Sequence, residues 1–234
     1  MPRSDAPEQI PLDLPFEERR GAEDFFVSAC NEAAYAAIES WPAGWTDPAL
    51  IIIGPAGAGK SHLAAIWAER ARAVRPSLGA IGLNDVPRLA AEPALLMEDV
   101  DRNGLDDAVL FHLINAVRDR GGSLLLTARS EPSTWPIAAP DLLSRLRRAP
   151  CVTIAPPDDG LLRALLVKLF MDRQLTVDTR VIETIILRAE RSFAAARAIV
   201  DALDQAALAA GRRITRAMAQ DVIANLSDPH EVER

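Results

Sequence analysis

The sequence predicts an α/β fold: a parallel sheet with helices packed on it, followed by a small all-α unit. Three observations carry that expectation. An apolar, β-branched run, Ile51-Ile52-Ile53, stops at Gly54 and gives way to a glycine-rich loop and a helix-like segment. Further apolar runs, Leu95-Leu96-Met97 and Leu124-Leu125-Leu126, alternate with helical periodicities, as strand–helix–strand units do. Beyond Pro156-Pro157-Asp158-Asp159-Gly160, which reads as a linker, only helical periodicity remains.

Taken in order, residues 1–20 are proline-rich and charged, the composition of a disordered or extended tail. Inside it lies Gln9-Ile10-Pro11-Leu12-Asp13-Leu14. Its alternation puts Ile10, Leu12 and Leu14 on one face of an extended segment, with Gln9 able to hydrogen-bond at a pocket rim. Such a peptide either docks on a partner or packs as an arm on its own domain. A first helix is expected over 30–41, where Cys30, Ala33, Ala34, Ala37, Ile38 and Trp41 make one stripe. Strand 49–53 and the glycine-rich loop follow, then a helix to about residue 74, stopped before Pro76. Residues 78–83 read as a short second strand, weakened by Gly79 and Gly82. Strand 95–101 ends in acids, helix 106–118 turns Leu110, Leu113, Ile114 and Val117 inward, and strand 123–127 follows Gly121-Gly122. A short helix over 140–148 carries Arg145, Arg147 and Arg148 before strand 151–154. Four helical stripes complete the chain, with Asp178 and Thr215 as expected caps and the third stripe opening after Ser192. The expected division is a tail over 1–20, an α/β domain over 21–157, a helical domain over 158–226 and a tail over 227–234.

The loop is where chemistry is most legible. Gly54 through Ser61 fits G-x-x-x-x-G-K-[ST] without a mismatch. In such a loop the backbone amides of residues 57–61 point inward and cradle phosphate oxygens, and the following helix N-terminus adds a favourable dipole. The expected cofactor-binding set is Gly54, Pro55, Ala56, Gly57, Ala58, Gly59, Lys60, Ser61 and the adjoining His62, although His62 taken alone reads as facing solvent or the sheet. Lys60 would neutralise phosphate charge and the Ser61 hydroxyl would ligate magnesium. The expected ligand is therefore ADP or ATP with Mg. The acids Glu98 and Asp99, at the end of their strand, would serve the metal and the attacking water, Glu98 as a metal ligand, with Asp101 in reserve. Thr127, at the tip of strand 123–127, would either reach the terminal phosphate or its water, or be a satisfied strand-end hydroxyl.

Bulk numbers exclude several classes. A net charge of −7, from 26 basic and 33 acidic residues in 234, argues against a surface built mainly to grip nucleic acid. Cys30 and Cys151, far apart, suggest neither a disulfide framework nor a metal site, and the cytoplasm is the expected compartment. No apolar run approaches membrane-spanning length.

A phosphate-loop α/β domain followed by a helical lid resembles the AAA+ ATPases, and several segments narrow the resemblance to the DnaA/Hda branch over roughly residues 22–226. Leu95-Leu96-Met97-Glu98-Asp99-Val100 stands where that branch has its apolar strand and paired acids. Leu124-Leu125-Leu126-Thr127-Ala128-Arg129-Ser130-Glu131-Pro132 is similar to its sensor I strand. Asp141-Leu142-Leu143-Ser144-Arg145-Leu146 resembles its arginine-finger segment, and Phe26-Val27 with Asn31 sits where the family touches adenine. The resemblance thus implies that Val27 and Asn31 contact the base and that Arg145 reaches a partner's nucleotide.

The tail peptide is similar to the Q-L-x-L-x-L peptide that docks on the DNA polymerase III sliding clamp (beta subunit), which implies that Gln9, Ile10, Leu12 and Leu14 bind a partner. The chain stops after the lid, so the resemblance implies no dedicated DNA-binding domain, and it leaves room for a homodimer. Members of this kind work with the clamp to stimulate ATP hydrolysis by DnaA; a replicative-helicase loader is the alternative. Two departures stand out. Glu98 replaces the usual Asp, and Ala194 falls where the lid normally carries its phosphate-sensing arginine, with Arg191 and Arg197 on either side. The second departure implies weak or absent hydrolysis by the chain itself.

Overall fold

The computed structural model describes residues 25–102 and 104–227; the peptide over 9–14 lies outside them. Four parallel strands, β1 (Ala49–Ile53), β2 (Ala94–Met97), β3 (Ser123–Ala128) and β4 (Cys151–Thr153), form one sheet in the order β2-β3-β1-β4. β1 is buried along its whole length because both sheet faces are covered. Ile51 and Ile53 join Leu95, Met97, Leu124 and Leu126 in one core. Leu50 and Ile52 face the other way, with Leu96 and Leu125. This is the strand period of two expressed as two separate cores.

Helices α1 (Glu32–Glu39) and α2 (Lys60–Ala71) cover the second face, while α3 (Val86–Leu89), α4 (Asp107–Asp119) and α5 (Pro140–Arg148) cover the first. Trp67 of α2, fully buried, stacks on Trp45 at 5.5 Å and meets Trp41 edge-on at 5.8 Å. Trp135 belongs to the opposite core and donates its indole N–H to the Ser130 carbonyl at 2.9 Å.

The expected strand over 78–83 does not form. Leu78–Ala80 and Leu83–Asp85 are single 3₁₀ turns, and the ladder beside β2 is reduced to Val74, which bridges Leu95. Pro76 lacks a donor, Gly79 and Gly82 bring no side chain to a sheet face, and Leu78 is buried in the core from its turn instead. The acid-ended strand is also shorter than expected, closing at Met97, because Asp99 adopts a left-handed conformation with φ 49° and leaves the ladder. Likewise α1 begins at Glu32, after a turn held by Asn31, and α2 ends at Ala71, where Arg72 turns left-handed with φ 51°.

The remaining chain folds as α6 (Asp159–Asp172), α7 (Thr179–Arg188), α8 (Phe193–Ala210) and α9 (Arg216–Ser227) around a core of its own. Asp158, Asp178, Ser192 and Thr215 cap these helices, accepting from Leu161, Arg180, Ala195 and Met218 amides at 2.7, 2.7, 3.0 and 3.3 Å. Arg163 of α6 pairs with Glu183 of α7 and holds its carboxyl below the usual range, and Arg173 of α6 pairs with Asp201 of α8. Among the described residues no helix is long and apolar enough to cross a membrane.

Candidate functional site

The site is built at the edge where β1, β2 and β3 end. After Ile53 the backbone at Gly54 runs so close to β4 that a Cβ there would stand 2.5 Å from the Ile154 carbonyl oxygen. Gly57 then takes φ +71°, and a Cβ on it would come within 2.9 Å of Ser192 Cβ and 3.1 Å of Ala194 Cβ. Those two constraints explain the glycines and show that the loop lies directly under the start of α8. No side chain of a described residue caps the N-terminus of α2, so its first-turn amides remain as a donor cradle for an anion.

Lys60 opens α2 and is only 6% exposed. Its Nζ donates to the Gly54 and Pro55 carbonyls at 2.7 and 2.9 Å. Burial pushes its pKa down; Asp99, Asp101 and Glu98 oppose that shift, while Arg129 adds to it. The acids predicted for this site are therefore grouped around the loop lysine. Thr127, 1% exposed, accepts the Asp99 N–H on Oγ1 at 3.0 Å, and its carbonyl accepts the Val100 N–H at 3.0 Å. Its hydroxyl thus sets the position of the acid segment. Asp101, the acid held in reserve, has one oxygen bonded to the Arg129 N–H at 2.9 Å and the Ser130 hydroxyl at 3.4 Å. Its other oxygen is buried with no hydrogen-bond partner among the described residues.

Between loop and lid lies a cleft of about 490 Å³. Gly57, Gly59, Lys60, Ser61 and His62 form its floor, Phe25 and Phe26 one wall, and Phe193, Ala194 and Arg197 of α8 part of the other. Phe25 meets His62 edge-on at 5.4 Å, which gives His62 a packing role at the cleft rim. The Phe193 amide donates to the Gly57 carbonyl at 2.8 Å, a direct tie between lid and loop.

Of the segment that the resemblance places against adenine, Phe26 lines the cleft, together with Phe25. Asn31 is 1% exposed; its amide donates to the Phe26 carbonyl at 2.9 Å, and its oxygen accepts the Ser28 N–H at 2.8 Å. It shapes the segment that presents the aromatic rings, while Val27 is largely exposed and outside the cleft lining. Ala194, the residue at the expected lid-arginine position, lines the cleft. Arg197, one turn beyond Ala194, lines the cleft beside it, whereas Arg191 pairs with Asp159 at 2.8 Å. Phe193 and Arg197 were missed as site residues; the i, i+3 spacing from Ala194 was the signal for the arginine.

Arg145 stands elsewhere. Leu142 and Leu146 bury one side of α5 in the sheet core; Arg145, half-buried, forms no ion pair or side-chain hydrogen bond with a described residue and does not line the cleft. Among the described residues no group of three or more His, Cys, Asp or Glu side chains is arranged to hold a metal. A magnesium ion at a phosphate loop takes many of its ligands from phosphate and water, so Ser61 and Glu98 remain chemically suited to it.

No protein-family model matches the chain, and no curated protein matches it. Solved structures do. Domain III of the replication initiation protein DnaA from Thermotoga maritima matches with a TM-score of 0.76 and 20% identity, covering 92% of this chain and 100% of that one. The chain has the AAA+ fold. AMPPCP-bound DnaA from Aquifex aeolicus matches with a TM-score of 0.66 and 17% identity over 80% of this chain and 65% of that chain. A RuvB variant from Thermotoga maritima gives 0.67 and 15%, over 85% and 69%. At these identities the likeness is one of fold, and the loop, acids and lid just described occupy an AAA+ frame.

Proposed function

We propose that this chain is a DnaA-like, Hda-type regulator of replication initiation: it binds ADP or ATP with magnesium, docks on the sliding clamp through residues 9–14, and promotes hydrolysis of the ATP held by DnaA, so that initiation is not repeated. The observation that carries the reading is Arg145. On a chain folded like DnaA domain III, it stands half-buried on α5 outside the chain's own cleft, with no ion pair or side-chain hydrogen bond to a described residue. A guanidinium in that position suits a neighbour's nucleotide, where a cation set against developing phosphoryl charge accelerates transfer by about 10³–10⁵.

Each site residue has a task in this reading. The loop amides and the α2 N-terminus hold phosphate oxygens, Lys60 neutralises them, and Arg197 faces them from the lid. Phe25, Phe26 and Phe193 offer apolar surface for a base. Two of the matching DnaA structures are bound to AMPPCP, which supports an adenine nucleotide as the ligand. When bound, the magnesium nucleotide supplies the charge that the loop amides, Lys60 and Arg197 answer. Ser61 and Glu98 would hold the metal, and Asp99, placed by Thr127, would orient water in any hydrolysis by this chain itself.

The test is hydrolysis of DnaA-bound ATP in the presence of clamp loaded on DNA. Wild-type protein should accelerate it, Arg145→Ala should lose that acceleration while keeping nucleotide binding, and Gln9→Ala with Leu12→Ala and Leu14→Ala should lose clamp binding. Unchanged turnover with wild-type protein would overturn the proposal and bring forward a helicase-loader-like ATPase.

A further inference from the structure

The tip of β3 brings a second cation to the phosphate end of the site, and it lies outside the loop motif. Ala128, the last residue of β3, accepts the Gly54 N–H at 3.2 Å, so Arg129 leaves the sheet beside the first residue of the phosphate loop. The Asp101 carboxylate fixes the turn by accepting the Arg129 N–H at 2.9 Å and the Ser130 hydroxyl at 3.4 Å. It engages the backbone of Arg129. The guanidinium itself is exposed, makes no hydrogen bond or ion pair with a described residue, and still lies near enough to the Lys60 ammonium to disfavour its charge. Asp99, Asp101 and Glu98 offset that repulsion at Lys60, but none of them bonds the guanidinium, which stays available for an anion.

The placement of the two arginines differs. Arg197 stands on the lid side, next to the Phe193 wall. Arg129 stands on the sheet side, tied to Asp101 just past the end of β2. A diphosphate seated in the loop has its charge met by the loop amides and Lys60. A third phosphate extends toward the acid side of that lysine, where Arg129 is. Arginine suits the task because its planar fork can address two phosphate oxygens at once.

Resting on the nucleotide-binding reading above, we propose that Arg129 is a phosphate ligand supplied in cis, which contacts the terminal phosphate of a nucleoside triphosphate and makes the site discriminate triphosphate from diphosphate. The experiment is calorimetric titration of the full chain with Mg-ADP and with a non-hydrolysable ATP analogue, comparing wild type, Arg129→Ala and Arg129→Lys. Losing one charge-assisted contact should weaken the analogue by about tenfold or more in Arg129→Ala, leave ADP within about twofold, and be partly rescued by lysine. The alanine variant should melt close to wild type, since the guanidinium is exposed and bonds no described residue. Equal losses for both nucleotides, or no loss for either, would overturn the assignment of Arg129 alone. A wild-type protein that binds neither nucleotide would overturn the site reading itself.

Discussion

A lysine that is 6% exposed and bonded to two main-chain carbonyls is an uncomfortable cation, and Lys60 is held that way by the loop it belongs to. Burial lowers its pKa, and the nearby acids Asp99, Asp101 and Glu98 restore only part of the shift. The sign is plain. A lowered lysine pKa means the ammonium is lost at a lower pH than for an exposed lysine, and phosphate binding needs the ammonium. Nucleotide affinity should therefore fall with rising pH sooner than it would for a site built on an exposed lysine. Dissociation constants measured from neutral into alkaline pH check this; a flat profile would count against Lys60 as the phosphate cation. Between that lowered folded value and the ordinary lysine value Lys60's contribution to stability rises with pH, because the unfolded chain holds that proton more readily.

At the scale of elements, the start of α8 joins lid to loop. Ser192 caps the helix through the Ala195 amide at 3.0 Å, is itself buried, and lies against Gly57. Ser192→Ala should cost about 1 kcal/mol. For a chain of this size that is a fall in melting temperature of about 2–4 °C, readable by calorimetry. The Asp178 and Thr215 caps were legible in the sequence because a cap is a bond across two or three residues. The phosphate loop was legible for the same reason, its chemistry being written in eight consecutive positions. Residues 78–83 misled because apolar content alone does not make a strand when Pro76 and two glycines forbid the ladder. Phe193 was illegible as a cleft residue because its place depends on how the lid packs against the loop, a contact across more than a hundred residues of chain, while Arg197 showed only in its i, i+3 spacing from Ala194. Asn31 shows the limit on a smaller scale: the two short-range bonds that occupy its amide were not readable in the sequence.

For the molecule as a whole, the cleft is shared between the sheet layers and the helical unit, whose cores are separate. A ligand that touches both stabilises both. At a concentration 100 times its dissociation constant, Mg-ADP should add about 2.7 kcal/mol to the folded state. That corresponds to a rise in melting temperature of about 5–10 °C, and Lys60→Ala should abolish it. A shift that persists in the variant would place the nucleotide elsewhere.

The tryptophans carry a consequence of their own. Trp41, Trp45 and Trp67 pack together behind the phosphate loop, Trp135 lies in the opposite sheet core, and Tyr35 is the single tyrosine. The helical unit after residue 158 contains neither residue type. Indole emission therefore watches the sheet half in isolation, while the far-ultraviolet signal of α6 to α9 comes from segments that are dark at those wavelengths. The chain is labelled by its own sequence in one half only, and light of two wavelengths distinguishes a lid that lets go first from a molecule that opens all at once.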